Sequence, residues 1–251
     1  MKAEPGLFLE SFLHTPDKEY RRYLKQRYSI LNSLIEVKEG DEILDAGCGD
    51  GGGIKLILER KKNIQIVAVD NSIDILDKAK RNFSNYHNII KFVKADVTQL
   101  PFPNNYFTKT VCFHVIEHLN VNDLNKALEE LTRVTQKELF LGFPNKYSFL
   151  RIWEILSQEG IKGIINKIIC FIKKDQPLIV KKPKYSVTPH VYYSANYIKK
   201  ILRQFNFQSQ IIKKVYFPFK FFDISQRDLS VPLGHSIIIK SVKIKNEEKK
   251  L

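Results

Sequence analysis

A glycine cluster directly after a short apolar run constrains the fold of this chain more than any other feature. The segment DEILDAGCGDGGG, residues 41–53, runs through Gly47, Gly49 and Gly51 into the apolar pattern IKLILER. Glycines at this spacing let the backbone approach a ligand closely, because a Cβ would block the contact. The carboxylate of Asp45 stands two residues ahead of the first glycine. We therefore predict a strand, a ligand-binding turn and a helix in succession, with an acidic side chain at the end of the strand.

This strand–turn–helix pattern is the first of several similar units. Apolar runs that end at Asp70, at Asp96 and near His114 predict strands, and KELFLGFPN predicts a further one. Between them, SIDILDKAKRNF and LNKALEELTRVT have the spacing of amphipathic helices, and Ser72 is placed to cap the first. Such alternation forms right-handed βαβ units, in which helices cover both faces of a parallel sheet. The predicted fold class is α/β, and 251 residues suit a single domain.

We divide this single domain, residues 1–251, into four parts. Residues 1–40 are a helical N-terminal region, 41–145 the core, 146–190 an insertion, and 191–245 complete the sheet. The insertion carries an isoleucine stripe over 161–172, which fits either a lid helix over the site or a helix resting on an anionic membrane surface. Beyond the stripe we expect a proline-bearing basic loop, a helix capped by Ser194 and two closing strands, the last of them antiparallel.

Composition and charge narrow the class of partner. Three scattered cysteines (Cys48, Cys112 and Cys170) argue against a disulfide framework or a zinc site. No apolar run approaches the roughly 18 residues of a membrane span, and no secretory signal is evident, so we expect a cytoplasmic protein. The chain has 20 Lys and Arg against 20 Asp and Glu through Asn145, but 21 against 7 from Lys146 onward. This segregated positive charge suits an anionic partner, although a lysine-biased proteome accounts for it equally well.

Three of the predicted strands end in an aspartate, at Asp45, Asp70 and Asp96. In an open α/β sheet the ligand lies beyond the carboxyl ends of the strands, so we expect these carboxylates to line the site. Asp70 is spaced from Gly47 so that it can accept hydrogen bonds from both hydroxyls of a ribose. Asp96 can accept a hydrogen bond from an exocyclic amine. The glycine pattern alone also fits a dinucleotide. A pyrophosphate at a helix N-terminus disfavours a nearby carboxylate, so Asp45 favours a cationic ligand without phosphate.

Several motifs together carry a family resemblance: ILDAGCGDGGG, VAVDNS, KADVTQLPFPNNYFTKTVCFHVIEHL, LGFPN and, more loosely, HVYYSANYIKKILRQFNF. With them the chain resembles the class I S-adenosylmethionine-dependent methyltransferases, in particular the type 11 group that acts on small molecules. The resemblance implies a Rossmann-like, mostly parallel sheet with an α-helical lid insertion, and S-adenosyl-L-methionine as the cofactor. The cofactor-binding residues that it implies are Asp45, Gly47, Cys48 and Gly49 for the methionine moiety, Asp70 and Asn71 for the ribose, Asp96 and Val97 for the adenine, and His114 near the sulfonium.

Methyl transfer from a sulfonium depends mainly on placing the acceptor in line at close range. A general base adds to the rate when the acceptor is a hydroxyl or a protonated amine. The candidate catalytic residues are His118, which follows Glu117, and His190, which borders the insertion. A purely structural role is about as common as a catalytic one for histidines in such positions. No Asp/Asn constellation for metal-assisted transfer is evident, so we predict no metal site.

We expect a small-molecule, lipid-like or acidic sugar acceptor, with peripheral membrane contact as one way to admit a lipid. Three other functions remain open. The basic C-terminal half, with aromatic residues among its lysines, fits an RNA-modifying methyltransferase, although the chain lacks an Asp/Asn-Pro-Pro-aromatic loop after the fourth predicted strand. A nicotinamide-dependent dehydrogenase fits the glycine pattern. A non-catalytic interaction module would keep the fold and the cofactor site without turnover.

Overall fold

A computed structural model describes residues 33–59, 63–148, 177–180, 190–215 and 236–244 of the chain. The described residues form a seven-stranded sheet with the strand order β3-β2-β1-β4-β5-β9-β8, and a separate two-stranded ribbon of β6 and β7. The strands are β1 (Glu42–Ala46), β2 (Gln65–Asp70), β3 (Ile90–Lys94), β4 (Phe107–Phe113), β5 (Thr135–Pro144), β6 (Leu178–Val180), β7 (His190–Tyr192), β8 (Phe207–Val215) and β9 (Ser236–Lys243). The helices are α1 (Gly52–Leu58), α2 (Ile73–Asn82), α3 (Val121–Val134) and α4 (Ala195–Gln204).

The first five strands are parallel, and β9 runs antiparallel to both of its neighbours, β5 and β8. This arrangement confirms the predicted Rossmann-like sheet with an antiparallel last strand. The order reverses at β1 and β4, which lie side by side although β2 and β3 come between them in the chain. A crevice at such a reversal is where open α/β sheets bind their ligands.

The two faces of the sheet are covered by different helices. Apolar residues of α1 and α2 pack with Ile43, Ile66 and Phe140 on one face, and those of α3 and α4 pack with Leu44 and Leu141 on the other. Neighbouring residues of one strand thus belong to opposite cores, as the pleat of a strand requires. Within the described ranges, no helix combines the length and the apolar character needed to cross a bilayer.

Helix caps at the predicted positions fix where α2 and α4 begin. The Ser72 hydroxyl accepts a hydrogen bond from the Ile75 amide at 3.4 Å, and the Ser194 hydroxyl accepts one from the Tyr197 amide at 3.2 Å. Both caps confirm the sequence prediction. Each satisfies one backbone donor that the first turn of a helix leaves unpaired.

The structure departs from the sequence prediction in the insertion. The stretch read as a basic loop contains β6, which pairs antiparallel with β7 through Leu178 opposite Tyr192. Its short apolar run LIV was hidden among prolines and lysines, and a strand this short becomes stable only by pairing. The isoleucine stripe at 161–172 and most of the N-terminal helical region lie outside the described residues, so the four-part division stays a prediction.

Candidate functional site

The glycine turn after β1 is held by the end of β2. The amides of Gly47 and Cys48 both donate to the Val69 carbonyl, each at 2.8 Å. Gly47 has a φ of 75°, in the left-handed region that glycine adopts without strain. A Cβ built on Gly47 would come within 2.2 Å of a Val115 methyl carbon. Gly47 is therefore required by both its backbone conformation and its close contact with the segment after β4.

Asp45 lies at the end of β1 with its side chain pointing into this turn. The residue is 3% exposed, and its Oδ2 atom is buried without a hydrogen-bond partner among the described residues. Burial raises the pKa of Asp45 to about 7, and the nearby charge of Asp70 adds to the rise, while a hydrogen bond from the Ile54 amide opposes it. An isolated buried carboxylate is unfavourable, so a cationic group placed against Oδ2 would be strongly favoured.

Gly53, in the first turn of α1, makes room for that carboxylate. A Cβ built on Gly53 would lie 2.4 Å from Asp45 Oδ2 and 3.0 Å from Oδ1. Gly53 does not stand out in the sequence, because the turn pattern is already complete with the glycines that precede it. The only signal available was a third consecutive glycine where a helix former would be favoured.

Asp70, at the end of β2, is anchored by two backbone amides. Its Oδ2 accepts a hydrogen bond from Gly49 N at 3.0 Å, and its Oδ1 accepts one from Ser72 N at 3.0 Å. These bonds fix the orientation of the carboxylate and tie the turn after β1 to the start of α2. Each carboxylate oxygen keeps a further lone pair for a ligand hydroxyl. Asn71, beside it, is exposed.

The loop after β3 carries Asp96 and Val97. Asp96 lies two residues beyond the end of the strand, is exposed, and accepts hydrogen bonds from the Thr98 amide and hydroxyl at 2.8 and 2.7 Å through Oδ1. Val97 is 7% exposed and packs into the core that α3 and α4 share. Asp96 thus lies at the same carboxyl end of the sheet as Asp70. One of its carboxylate oxygens is already engaged in hydrogen bonds within its own turn.

A second cluster, which we call the histidine cluster, comprises His114, Glu117, His118 and His190. His114 follows β4 with a φ of 58°, and its Nδ1 lies 2.7 Å from Glu117 Oε1. Glu117 belongs to a 3₁₀ turn, Ile116–His118, and is 1% exposed. Burial by itself raises the pKa of Glu117, but the charge and hydrogen bond of His114, with smaller contributions from His118 and His190, lower it to about 2.

The structure brings the two candidate bases together. The rings of His118 and His190 meet edge to face with their centroids 4.7 Å apart, and His190 Nδ1 lies 3.0 Å from the Tyr192 hydroxyl oxygen. His118 is exposed and His190 is half-buried at the start of β7. The sequence predicts these histidines as candidate bases and does not single out Glu117, whose burial only the fold reveals.

Cys48 is buried in the glycine turn, with its Sγ 3.5 Å from the Gly49 carbonyl oxygen. Burial raises the pKa of the Cys48 thiol, and the charges of Asp45 and Asp70 raise it further. Because the thiolate is the reactive form, Cys48 is unsuited to nucleophilic chemistry. Among the side chains that the structure describes, no group of three or more His, Cys, Asp or Glu has an arrangement suited to a metal ion.

Comparison with known proteins assigns this site to a family. Residues 43–138, which span β1 to the start of β5, match the profile of the family described as "Methyltransferase domain". The chain contains a class I S-adenosylmethionine-dependent methyltransferase domain. The cofactor of this domain is S-adenosyl-L-methionine.

Relatives of the methyltransferase domain differ widely in what their names say they modify. An uncharacterised protein of Methanocaldococcus jannaschii is 28% identical over 172 residues, which cover 65% of this chain and 61% of the relative. A ribosomal RNA small subunit methyltransferase H of Nostoc punctiforme is 34% identical over 29% of this chain and 24% of the relative. A demethylmenaquinone methyltransferase of Paenarthrobacter aurescens is 33% identical over 43% of this chain and 39% of the relative. The chain therefore spans less than two thirds of each of these relatives.

Solved structures share the fold over nearly the whole chain. The PH0226 protein of Pyrococcus horikoshii superposes with a TM-score of 0.63 at 17% identity, covering 91% of this chain and 93% of that one. The 1,6-didemethyltoxoflavin-N1-methyltransferase of Burkholderia thailandensis, solved with its substrate and S-adenosylhomocysteine, gives 0.58 at 13% identity, covering 95% and 86%. These likenesses confirm the predicted fold class.

Proposed function

We propose that this protein transfers the methyl group of S-adenosylmethionine to a small-molecule, lipid-like or acidic sugar acceptor. The observation that carries the proposal is the buried, unpartnered Oδ2 of Asp45 beside the glycine turn. A dinucleotide phosphate at this place would meet an anion, whereas the methionine end of S-adenosylmethionine brings a cation. The methyltransferase therefore accounts for Asp45, and the dehydrogenase alternative does not.

In this proposal the chain holds the cofactor along the carboxyl edge of β1, β2 and β3. Asp45, Gly47, Cys48 and Gly49 line the methionine moiety. Asp70 and Asn71 take the ribose, Asp96 and Val97 take the adenine, and His114 lies on the sulfonium side. When bound, the cofactor supplies a methyl group activated by the positive sulfur, so the protein has mainly to orient it and the acceptor.

The acceptor class rests on charge and on the named relatives. All of the net charge of +14 lies beyond Asn145, which favours an anionic acceptor. Two curated relatives are named for small or carrier-bound acceptors, a demethylmenaquinone methyltransferase and a malonyl-[acyl-carrier protein] O-methyltransferase. A lipid-like acceptor would also suit the apolar stripe of the insertion and a peripheral position on a membrane.

RNA is the second candidate acceptor, favoured by the same basic half and by the ribosomal RNA methyltransferase among the relatives. Binding to RNA through lysines would weaken steeply with salt, because each neutralised phosphate releases a counterion. A small anionic acceptor would show a far shallower dependence. Label from the cofactor appearing only in RNA, in extracts fractionated into lipid, RNA and polar metabolites, would replace the small-molecule proposal.

Isothermal titration of the full chain with S-adenosylhomocysteine tests the cofactor site. We expect binding by the wild type and at least about 100-fold weaker binding by Asp70→Ala, because charge-assisted hydrogen bonds to two ribose hydroxyls are lost. Asp74→Ala removes an exposed aspartate of α2 and is the matched control. Binding of NADH without binding of S-adenosylhomocysteine, or undiminished affinity in Asp70→Ala, would contradict the proposal.

A further inference from the structure

The proposed cofactor site leaves one buried carboxylate unexplained, that of Glu117, just beyond the C-terminal end of β4. Glu117 is 1% exposed, and its Oε2 is buried without a hydrogen-bond partner among the described residues. The other oxygen, Oε1, is 2.7 Å from His114 Nδ1. A carboxylate in such a place is unfavourable unless positive charge lies nearby.

Among the described residues, the ionisable groups around Glu117 come from three elements, and the basic ones are all imidazoles. His114 follows β4, His118 belongs to the same 3₁₀ turn as Glu117, and His190 begins β7, which packs against that turn. On β4, the thiol of Cys112 is buried, and burial together with the charge of Glu117 raises its pKa, so it stays neutral. Within the described part of the chain, the charged groups that lower the pKa of Glu117 are those of His114, His118 and His190.

We propose that Glu117 is a positioning residue that makes the histidine cluster the proton acceptor for the substrate. Its buried charge stabilises an imidazolium, and the ion pair with His114 fixes the turn that presents His118 to His190. His190 is half-buried and His118 is exposed, so a proton taken up inside the site has a direct route to solvent. The Tyr192 hydroxyl lies 3.0 Å from His190 Nδ1, within hydrogen-bond distance, and so helps to orient that ring.

The inference rests on the proposed methyl transfer and narrows its acceptor. A lone pair of the acceptor atom forms the new bond to the methyl carbon, and the carbon–sulfur bond breaks with its electron pair remaining on sulfur. The hydrogen on the acceptor atom leaves as a proton and is taken by an imidazole of the cluster. A hydroxyl gives its proton to the imidazole as the new bond forms, whereas a protonated amine must give up its proton first, because only then does the nitrogen have a lone pair to attack the methyl carbon. We therefore assign a protic oxygen or nitrogen as the methylated atom.

Ring resonances of ¹³C-labelled histidine in the full chain test the role of Glu117 without an acceptor. The pH titration of each ring is followed in the wild type and in Glu117→Gln, with assignment by single His→Gln variants. We expect proton binding at both His114 and His190 to weaken by about tenfold in Glu117→Gln, the lower end of the effect of a nearby opposite charge. Glu117→Asp, which keeps the charge, should restore most of the titration of His190.

The control is Glu129→Gln, a loss of an exposed carboxylate on α3 that should leave every ring unchanged. A shift confined to His114 would overturn the proposal, because it would reduce Glu117 to a local structural ion pair. If Glu117→Gln does not fold, the comparison of the wild type with Glu117→Asp decides: a His190 titration already lost in Glu117→Asp contradicts a role based on charge.

Two further measurements distinguish the proton-acceptor role from a loss of the cofactor site and from a metal centre. Binding of S-adenosylhomocysteine is measured in the same samples. This distinguishes a failure of the cofactor site from histidine rings whose titration does not depend on Glu117. Stoichiometric Zn²⁺ or Mn²⁺ is then added, since imidazoles with a carboxylate are also metal ligands. Unchanged His190 titration supports the proton-acceptor role, and titration abolished by one equivalent of metal overturns it in favour of a metal centre.

Discussion

At the scale of single residues, the protein without ligand buries one aspartate, Asp45, at a cost in free energy. Asp45 is buried near a second carboxylate, Asp70, and both effects raise its pKa. A side chain that served only the fold would be better replaced by a neutral one, because buried charge without a partner destabilises. This cost is accounted for under the proposed function, in which the charge of a bound cation compensates the burial of Asp45.

The pH dependence of this residue has a definite sign. The folded pKa of about 7 lies above the ordinary value of 3.8, so Asp45 destabilises the ligand-free protein progressively between those two values and fully above about pH 7. Asp45→Asn should raise the melting temperature at about pH 8 and have little effect at about pH 4, while weakening S-adenosylmethionine binding. In the wild type, affinity for this cation should rise with pH through about 7. Affinity that is flat with pH by isothermal titration would contradict the assignment.

Gly53 gives a second prediction, through a double-mutant cycle with Asp45. Gly53→Ala should lower the free energy of unfolding in the wild type, because the new Cβ meets the Asp45 carboxylate at 2.4 Å. In an Asp45→Ala background the obstacle is gone, and the same substitution should stabilise by up to about 1 kcal/mol through helix propensity. Urea denaturation measures both values. The same sign in both backgrounds would show that the contact does not determine the glycine.

At the scale of elements, long side chains on α3 and β9 hold the loops near the site. Arg133, at the end of α3, donates to the carbonyl oxygens of Leu100 and Phe102 at 2.9 and 2.7 Å and to both oxygens of Glu130. Glu130 Oε2 in turn accepts from the Leu100 amide at 2.7 Å. The loop that continues from Asp96 and Val97 is therefore fastened to a rigid helix.

Replacing the planar guanidinium group of Arg133 tests whether it holds this loop against α3. Arg133→Lys keeps the charge but loses the bidentate geometry, so we expect a loss of about 1–3 kcal/mol in the free energy of unfolding. Hydrogen exchange should accelerate at residues 99–104 and not in the strands. Arg203→Lys, at an exposed position of α4, is the matched control. An equal change in both variants would rule out the loop contact as the cause.

The last strand makes a similar connection across the sheet. Lys243 Nζ on β9 donates to the carbonyl oxygens of Thr132 and Thr135 at 3.2 and 2.8 Å and to Asn105 Oδ1 at 2.6 Å. These acceptors include carbonyls at the C-terminal end of α3, where positive charge is favoured by the helix dipole. Burial lowers the pKa of Lys243. The antiparallel strand thus stabilises the helix that also carries Arg133.

At the scale of the whole molecule, the order of the strands determines which functional side chains lie next to one another. Because β1 lies between β2 and β4, the turn after β1 touches both Asp70 on one side and the segment of Val115 on the other. The opposite end of the sheet carries a buried ion pair of Asp41 with Lys109, supported by Thr108 at 2.8 Å. Burial alone raises the pKa of Asp41, but these hydrogen bonds and the Lys38 amide outweigh it and lower the pKa. Charge at that end is thus internally compensated, whereas Asp45 Oδ2 at the ligand end has no hydrogen-bond partner among the described residues.

The sequence by itself determined the elements of the core, their parallel arrangement and the glycine turn between β1 and α1, and it predicted a site at Asp45 and Asp70. These follow from periodicity, from caps such as Ser72 and from side chains placed at strand ends, all of which are local properties of the chain. Strand β6 itself was not predicted, because a three-residue strand is too short to show a periodic pattern. It is stabilised by its pairing with β7.

Only the tertiary structure decided which distant side chains act together. His118 and His190 come from separate parts of the chain and meet because β7 packs against the turn after β4. The same packing buries Glu117, and the fold seats the Asp45 carboxylate against Gly53. Burial and charge compensation are properties of a packed environment rather than of a residue type, so the pKa of a carboxylate cannot be read from its neighbours in sequence.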